Sequence, residues 1–313
     1  MSAEVHDGPA VTVRAPAKIN LHLGVGPVRD DGFHPLATVY QAVGLYDDVT
    51  VREQPDWSVH LRGEERIDLL EVPVDESNIA LRAGRLLVEH HGLAERAARI
   101  EIHKGIPVAG GLAGGSADAA ATLVALDRLW DLQTSDDDLL ALAARLGSDV
   151  PFALIGGTAA GTGRGELVSP LEDDGAWWWV VVENDRGLST PGVYRRFDER
   201  VAESGRLPVQ PDIPGELVDA LRSGDVAWLG QVLLNDLAEP ALDLRPDLGR
   251  TFDDAAEAGA VASLLSGSGP TVLLLCESMV HAHLVLSEMS ERGHARLSAV
   301  PAPVAGAHVV AYP

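Results

Sequence analysis

The stretch Pro107-Val108-Ala109-Gly110-Gly111-Leu112-Ala113-Gly114-Gly115-Ser116-Ala117-Asp118 constrains the fold of this 313-residue chain more than any other. A short alternating run, residues 98–104, precedes it and reads as a strand. Four glycines then arrive in two pairs, and Ser116 opens a helix on which Ala119, Leu123, Leu126 and Trp130 share one face. Glycine removes the Cβ that would keep a ligand away from the backbone. The first N–H groups of the helix lack internal partners, and the helix dipole adds partial positive charge there. Strand, glycine loop and helix together describe an anion site, for which phosphate is the usual occupant.

Two familiar phosphate loops are excluded. A Walker A loop ends in Gly-Lys-Ser/Thr, and no lysine follows these glycines. The dinucleotide fingerprint needs G-x-G-x-x-G, whereas this loop reads GGLAGG, which also removes a dehydrogenase of that type. The plain alternative is a glycine turn that only brings a strand close to a helix; Ser116 and the well-formed helix favour the phosphate reading. The formal net charge of −23 argues against nucleic acid as a partner. It also repels phosphates on average, so any phosphate must be held by local groups: loop amides, a helix N-terminus, a few cations and a metal ion. Only two of the 24 basic residues are lysines, Lys18 and Lys104, so a lysine within a motif stands out.

A chain of this length is long for one core and natural for two domains, and 46% hydrophobic residues can supply the cores. The acidic Glu172-Asp173-Asp174-Gly175 marks the expected boundary, giving residues 1–174 and 175–313. The single Cys276 lies in an apolar run and allows no disulfide framework, which points to the cytoplasm and a buried structural thiol. The N-terminus carries no apolar leader pattern, and the longest apolar runs have strand length, which argues against secretion and membrane spanning. Composition does not separate a monomer from a homodimer.

Along the chain, residues 1–10 read as a disordered tail, and residues 11–23 as an edge or bulged strand because Pro16 interrupts the alternation. Lys18 and Asn20 then share a face. An Asp-Gly turn at residues 29–36 precedes strands at 37–43 and 48–52. Phe33 beside His34 could stack on a base and bond its edge, or tuck into the core. Helices are expected at 78–90 and Asp136–Leu146, the second announced by Thr134-Ser135 and stopped by Gly147. Asp149 follows in a post-helix turn, and a glycine-rich hairpin spans 156–165. Residues 177–183 read as a buried strand, with its tryptophans in core packing. Residues 190–194 open a helix, further helices are expected at 216–222, 225–234, 246–258 and 278–292, and a strand near 308–311 closes the chain.

Three segments, Ala15-Pro16-Ala17-Lys18-Ile19-Asn20, the loop at 107–118 and Ser266-Gly267-Ser268-Gly269, occur in the order seen in the GHMP small-molecule kinases, which the chain resembles. Ala109 and Ala113 stand where that family often has glycine, and alanine tolerates most backbone conformations except φ > 0. The turn Arg29-Asp30-Asp31-Gly32-Phe33-His34 with Leu36, Thr38 and Gln41 looks like the cytidine end of the branch that phosphorylates a cytidine diphosphate-linked methylerythritol in the non-mevalonate isoprenoid route. Gly147-Ser148-Asp149-Val150-Pro151-Phe152 resembles that branch's catalytic aspartate segment, and residues 234–240 match a further segment. The resemblance implies a two-domain α/β (α+β) fold with the active site in the cleft between domains, and ATP with Mg²⁺ as cofactors. It implies that the loop from Pro107 to Ala117 holds the ATP phosphates, with Ser116 near them or the metal. Asp149 would take or orient the proton of the attacking hydroxyl, Lys18 would keep that carboxylate ionised, and Asn20 would orient the acceptor. Phe33 and Tyr194 would sandwich the cytosine and His34 would bond its edge; no protein metal ligand is assigned. Rival readings are a kinase of the same family acting on mevalonate, homoserine or a sugar, and a non-catalytic nucleotide sensor. The Gly-Phe-His turn argues against the first, and the joint presence of Lys18 and Asp149 against the second.

Overall fold

Long amphipathic strands build the scaffold. The computed structural model describes residues 8–311 apart from 65, 66, 109, 185 and 206–208, so most of the expected N-terminal tail and Ala109 lie outside the described residues. β1 (Ala10–Val25) and β2 (Leu36–Gln54) pair antiparallel over nearly their whole lengths. β3 (Ser58–Gly63), α1 (Ile79–His90), β4 (Ala97–Lys104), α2 (Gly114–Trp130), α3 (Asp136–Leu146) and α4 (Val150–Ile155) follow, and then a hairpin of β5 (Thr158–Thr162) and β6 (Leu167–Pro170). β7 (Trp177–Val182) starts a second sheet. After it come α5 (Thr190–Ser204), α6 (Gly215–Ser223), α7 (Val226–Val232), β8 (Leu234–Asn235), α8 (Ala238–Leu244), α9 (Leu248–Glu257), β9 (Ala262–Leu265), β10 (Val272–Cys276), α10 (Met279–Glu291), β11 (Leu297–Ala302) and β12 (His308–Val310).

The first sheet runs β12-β1-β2-β4-β3, with β5 and β6 continuing from β2 and β8 pairing parallel to β1. The second is antiparallel, in the order β11-β7-β10-β9. The later part of the chain therefore returns two strands, β8 and β12, to the first sheet.

β1 is bulged, with register shifts after Pro16 and after Asn20, and it is not an edge strand. β12 covers its outer edge only at residues 12–14, and β8 only at 22–23. Pro16, which lacks an N–H, falls in the uncovered interval. Lys18 falls there too, and its N–H donates to Leu112 O at 3.1 Å. The glycine loop thus docks on the stretch of β1 between the short lengths covered by β12 and β8.

The two strands expected at 37–43 and 48–52 are one, because β1 pairs with β2 on both sides of Gly44. A Cβ at Gly44 would lie 2.8 Å from Pro301 Cδ, so glycine lets β11 pack against β2 where the two sheets meet. β3, α8 and β11 carry no expected pattern. Pro301 blurs β11, which its position at a sheet edge tolerates.

Helices α1 to α4 cover one face of the first sheet, and α5, α8, α9 and α10 pack with the second. Trp177 and Trp179 are buried at the junction, each contributing a large hydrophobic area, and both indole N–H groups find acceptors. Trp177 Nε1 donates to Asp173 Oδ1 at 2.8 Å, and Trp179 Nε1 to Gln41 Oε1 at 3.0 Å. Gln41 also donates to Asp173, so this member of the cytidine motif ties the sheets together from a fully buried position. Cys276 is buried, and burial pushes its thiol up to about 12, which makes it inert. No helix among the described residues is long and apolar enough to cross a membrane.

Candidate active site

α2 begins at Gly114, two residues before Ser116. Its N-cap is Ala113, held left-handed at φ 58° and ψ 36°, a conformation that costs an L-residue about 1–2 kcal/mol. Backbone strain of this kind concentrates at ligand sites. Asn78, Ser135, Ser189 and Ser278 cap their helices through side chains, whereas Ala113 offers none. The first intrahelical bond of α2 is Ala117 N–H to Ala113 O, so Gly114, Gly115 and Ser116 precede the hydrogen-bonded ladder. Their N–H groups are suited to an anion.

Gly111 adopts φ +77°, and a Cβ there would sit 2.5 Å from Ser266 O and 3.3 Å from Gly269 O. The space freed by this glycine is filled by the second glycine turn, so the loop is braced by the later half of the chain. Gly111→Val is therefore expected to cost about 1–3 kcal/mol of stability besides weakening ATP binding, read by urea titration. Gly115→Ala, whose Cβ would meet only Ile79 Cγ2 at 3.7 Å, should change stability by no more than about 0.5 kcal/mol.

Beneath the loop, Lys104 Nζ bonds both Asp47 and Asp118 Oδ2, the latter at 2.8 Å, in a fully enclosed group. Asp47 Oδ1 also accepts from Gly105 N–H (2.8 Å) and Ile106 N–H (2.9 Å), where the chain leaves β4. Burial alone would lower the Lys104 pKa, but the two carboxylates raise it. Burial pushes the Asp118 carboxyl well above the usual carboxylate range. The triad fastens both ends of the glycine loop to β2.

Lys18 Nζ donates to Asn20 Oδ1 at 2.9 Å and lies 3.7 Å from Asp149 Oδ2. Asn20 Nδ2 donates to Thr38 Oγ1 (2.8 Å), which donates to His22 O (2.7 Å). Because an ammonium only donates, this chain fixes the Asn20 amide with its oxygen toward Lys18. Asp149 sits at the N-cap of α4 but caps nothing, so its carboxylate is left to face the cleft, 30% exposed. Tyr40 is buried beside it, and burial and then the Asp149 charge push that phenol well above its usual range. A Cβ on Gly267 would lie 3.4 Å from Lys18 Nζ, which brings the second glycine turn to the same point. Asn235 holds that turn through Leu265 O (2.8 Å) and Gly267 O (2.7 Å).

These groups line a cleft of about 640 Å³ that also contains Phe33, His34, Tyr194 and Asp198. The His34 ring lies 5.1 Å from Tyr194. His34 Nδ1 is 2.8 Å from Gly26 O, and a carbonyl only accepts, so Nδ1 carries the proton. Nε2, the other ring nitrogen, lies 3.6 Å from Asp198. Tyr194 is pushed up to about 12 by burial and by the Asp149 charge, which keeps its hydroxyl protonated. Of the loop, Gly111 and Ala113 face this cleft, while Pro107, Val108 and Gly110 line a neighbouring recess with Asp68 and Arg296. Leu112 and Ala117 are buried. Lys18, Asn20, Phe33, His34, Asp149 and Tyr194 thus share one cleft, while Tyr40, Asp198 and the Asp47–Asp118 pair carried no sequence signal beyond the scarcity of lysine around Lys104.

A family model described as GHMP kinases N terminal domain matches residues 78–157, and one described as GHMP kinases C terminal matches residues 217–295. The fold is also that of an L. major mevalonate kinase solved with R-mevalonate, with a TM-score of 0.74 at 16% identity over 98% of this chain and 100% of that one. The chain belongs to the GHMP kinases. It is 59% identical over 300 residues to a 4-diphosphocytidyl-2-C-methyl-D-erythritol kinase of Nocardioides sp., covering 96% of this chain and all of that protein. A relative with the same description from Mycolicibacterium smegmatis is 50% identical over 97% of this chain and 94% of its own. A crystal structure of 4-(cytidine 5'-diphospho)-2C-methyl-D-erythritol kinase aligns with a TM-score of 0.75 and 32% identity, covering 94% and 99% of the two chains. Within the GHMP kinases, the chain is a member of the 4-diphosphocytidyl-2-C-methyl-D-erythritol kinase family.

Proposed function

We propose that this ATP-dependent small-molecule kinase phosphorylates the 2-hydroxyl of 4-diphosphocytidyl-2-C-methyl-D-erythritol in the non-mevalonate isoprenoid precursor pathway. The observation that carries the reading is one cleft holding the Lys18–Asp149 pair at 3.7 Å, the Ala113 end of the uncapped helix, and Phe33, His34 and Tyr194. In this reading the free N–H groups of Gly114, Gly115 and Ser116 at the start of α2, with the glycine loop that leads into them, hold the ATP phosphates. Asp149 accepts the proton as the acceptor oxygen forms its bond to the γ-phosphorus and ADP leaves. Lys18, 3.7 Å from Asp149, offsets charge on the moving phosphoryl group, and Asn20 orients the acceptor. Such a transfer needs little covalent help, so positioning and electrostatics supply most of the rate. Mg²⁺ would neutralise phosphate charge when bound; it is commonly held by the phosphates and water, and the Ser116 hydroxyl in the first turn of α2 is a suitable donor. A single inert thiol supports a cytoplasmic setting.

The base end supplies the test. A fixed hydrogen-bonding partner such as His34 at the base edge can match cytosine's amino donor or uracil's carbonyl acceptor, but not both. An unpaired buried polar group costs about 1–3 kcal/mol. CDP is expected to bind at least about ten-fold more tightly than UDP by calorimetry. Phe33→Ala should weaken cytidine ligands by roughly 1–3 kcal/mol without changing ATP affinity, and His34→Ala should erase much of the preference. Equal CDP and UDP affinity in the wild type would remove the substrate assignment while leaving a kinase.

A further inference from the structure

A chain of net charge −23 that accepts a nucleoside diphosphate-linked substrate needs a cation where the diphosphate lies. Lys18, Arg164 and Arg195 are the Lys and Arg side chains lining the cleft. Lys18 is nearly buried and committed to Asn20 and Asp149. Arg195 is exposed on α5, next to the base-stacking Tyr194.

Arg164 is placed differently. It sits between β5 and β6, in a turn pinned by Leu36 N–H to Gly163 O (2.8 Å) and Gly165 N–H to Thr162 O (2.9 Å). Its guanidinium rests on the Phe33 ring, 4.9 Å from the centroid, at the base end of the cleft. The next residue, Gly165, packs against the Tyr40 hydroxyl and Ser148, beside Asp149 at the reacting end. The backbone of the turn thus lies between the two ends, which is where a diphosphate joining the base to the reacting alcohol must run. The side chain is held loosely: it is 37% exposed, and its nearest acid, Glu166, is 3.6 Å from Nε, beyond hydrogen-bonding distance. Glu166 takes its hydrogen bond from the Arg164 backbone N–H instead. An arginine parked on an aromatic face has its forked donors free for a phosphate, which it can grip through two parallel bonds.

We propose that Arg164 is the residue that binds the diphosphate of the acceptor and so makes the cleft select a nucleoside diphosphate over the bare nucleoside. The proposal rests on the cytidine reading above for the place of the base. It makes the side chain a mobile clamp: on Phe33 when the cleft is free, on the diphosphate when the acceptor enters.

Calorimetry with cytidine, CDP, uridine and UDP tests it on the full chain, comparing wild type, Arg164→Met and Arg164→Lys. Wild type should bind CDP at least about ten-fold more tightly than cytidine. Arg164→Met, similar in length but uncharged, should lose most of that increment while its cytidine affinity stays within about two-fold, and Arg164→Lys should recover part of it. An unchanged CDP-to-cytidine ratio in Arg164→Met overturns the proposal. An equal loss for cytidine and CDP also overturns it, because the side chain then serves only the stacked base. Failure of the cytidine reading looks different. CDP and UDP would bind alike in the wild type, and Arg164→Met would still lose the diphosphate increment for both, which supports the clamp and removes the base assignment.

Discussion

Asp149→Asn is expected to lower kcat by about two to four orders of magnitude while leaving nucleotide affinity nearly unchanged. The amide fills the same space at the start of α4, where the carboxylate caps nothing, so no helix contact is lost. What disappears is the group that takes the proton and the anion that Lys18 faces at 3.7 Å. The loop amides that would hold ATP belong to another element, α2, so substrate loading and chemistry should separate cleanly. Single-turnover kinetics with calorimetric ATP binding checks this. A variant with a third of wild-type kcat would remove Asp149 from proton transfer.

Lys104→Met is expected to cost about 3–5 kcal/mol of folding stability, because it removes the one cation shared by two enclosed carboxyl groups. Methionine fills similar volume, so the loss is electrostatic rather than a cavity. Asp47 keeps the Gly105 and Ile106 N–H groups, but Asp118 loses the 2.8 Å bond from Lys104, and its buried Oδ1 has no hydrogen-bond partner among the described residues. Asp118→Asn should cost far less, about 1 kcal/mol, since an amide oxygen still accepts from Lys104 and mimics the neutral acid that burial favours. Urea titration at neutral pH gives both numbers. A Lys104→Met cost below about 1 kcal/mol would mean that the triad relaxes or admits water instead of anchoring the loop.

Much of the local structure was legible. Ser135 and Gly147 delimit α3 at the residues expected, because a cap and a stop act over one turn. The run from β4 through the glycine loop into α2 was equally readable, and so was the core packing of Trp177 and Trp179 in β7, although Trp178 is only half-buried. Misses fell where local pattern is weak or overridden. β11 is blurred by Pro301, α8 is seven residues with Pro240 in its first turn, and β2 continues through Gly44 because its partner does. Glycine spacing announced an anion site but not that Gly111 would be filled by Ser266 O.

The sequence by itself determined which residues carry chemistry and which backbone states they can reach: the two lysines among many arginines, the lone Asp149 after a helix stop, and the Phe33-His34 pair in an Asp-Gly turn. Only the tertiary structure decided what each of them faces. Lys18 meets Asp149 because β1 leaves an interval uncovered by β12 and β8, into which the glycine loop docks. Lys104 turned out to be an anchor, sealed between Asp47 and Asp118, while Arg164 reached Phe33 across the cleft. The physical reason is one of range. Caps, turns and periodicity act between neighbours in the chain, and they report that a face is buried. The charge or ring opposite that face comes from a distant segment, and its effect depends on a few ångströms of separation and on how much water remains between.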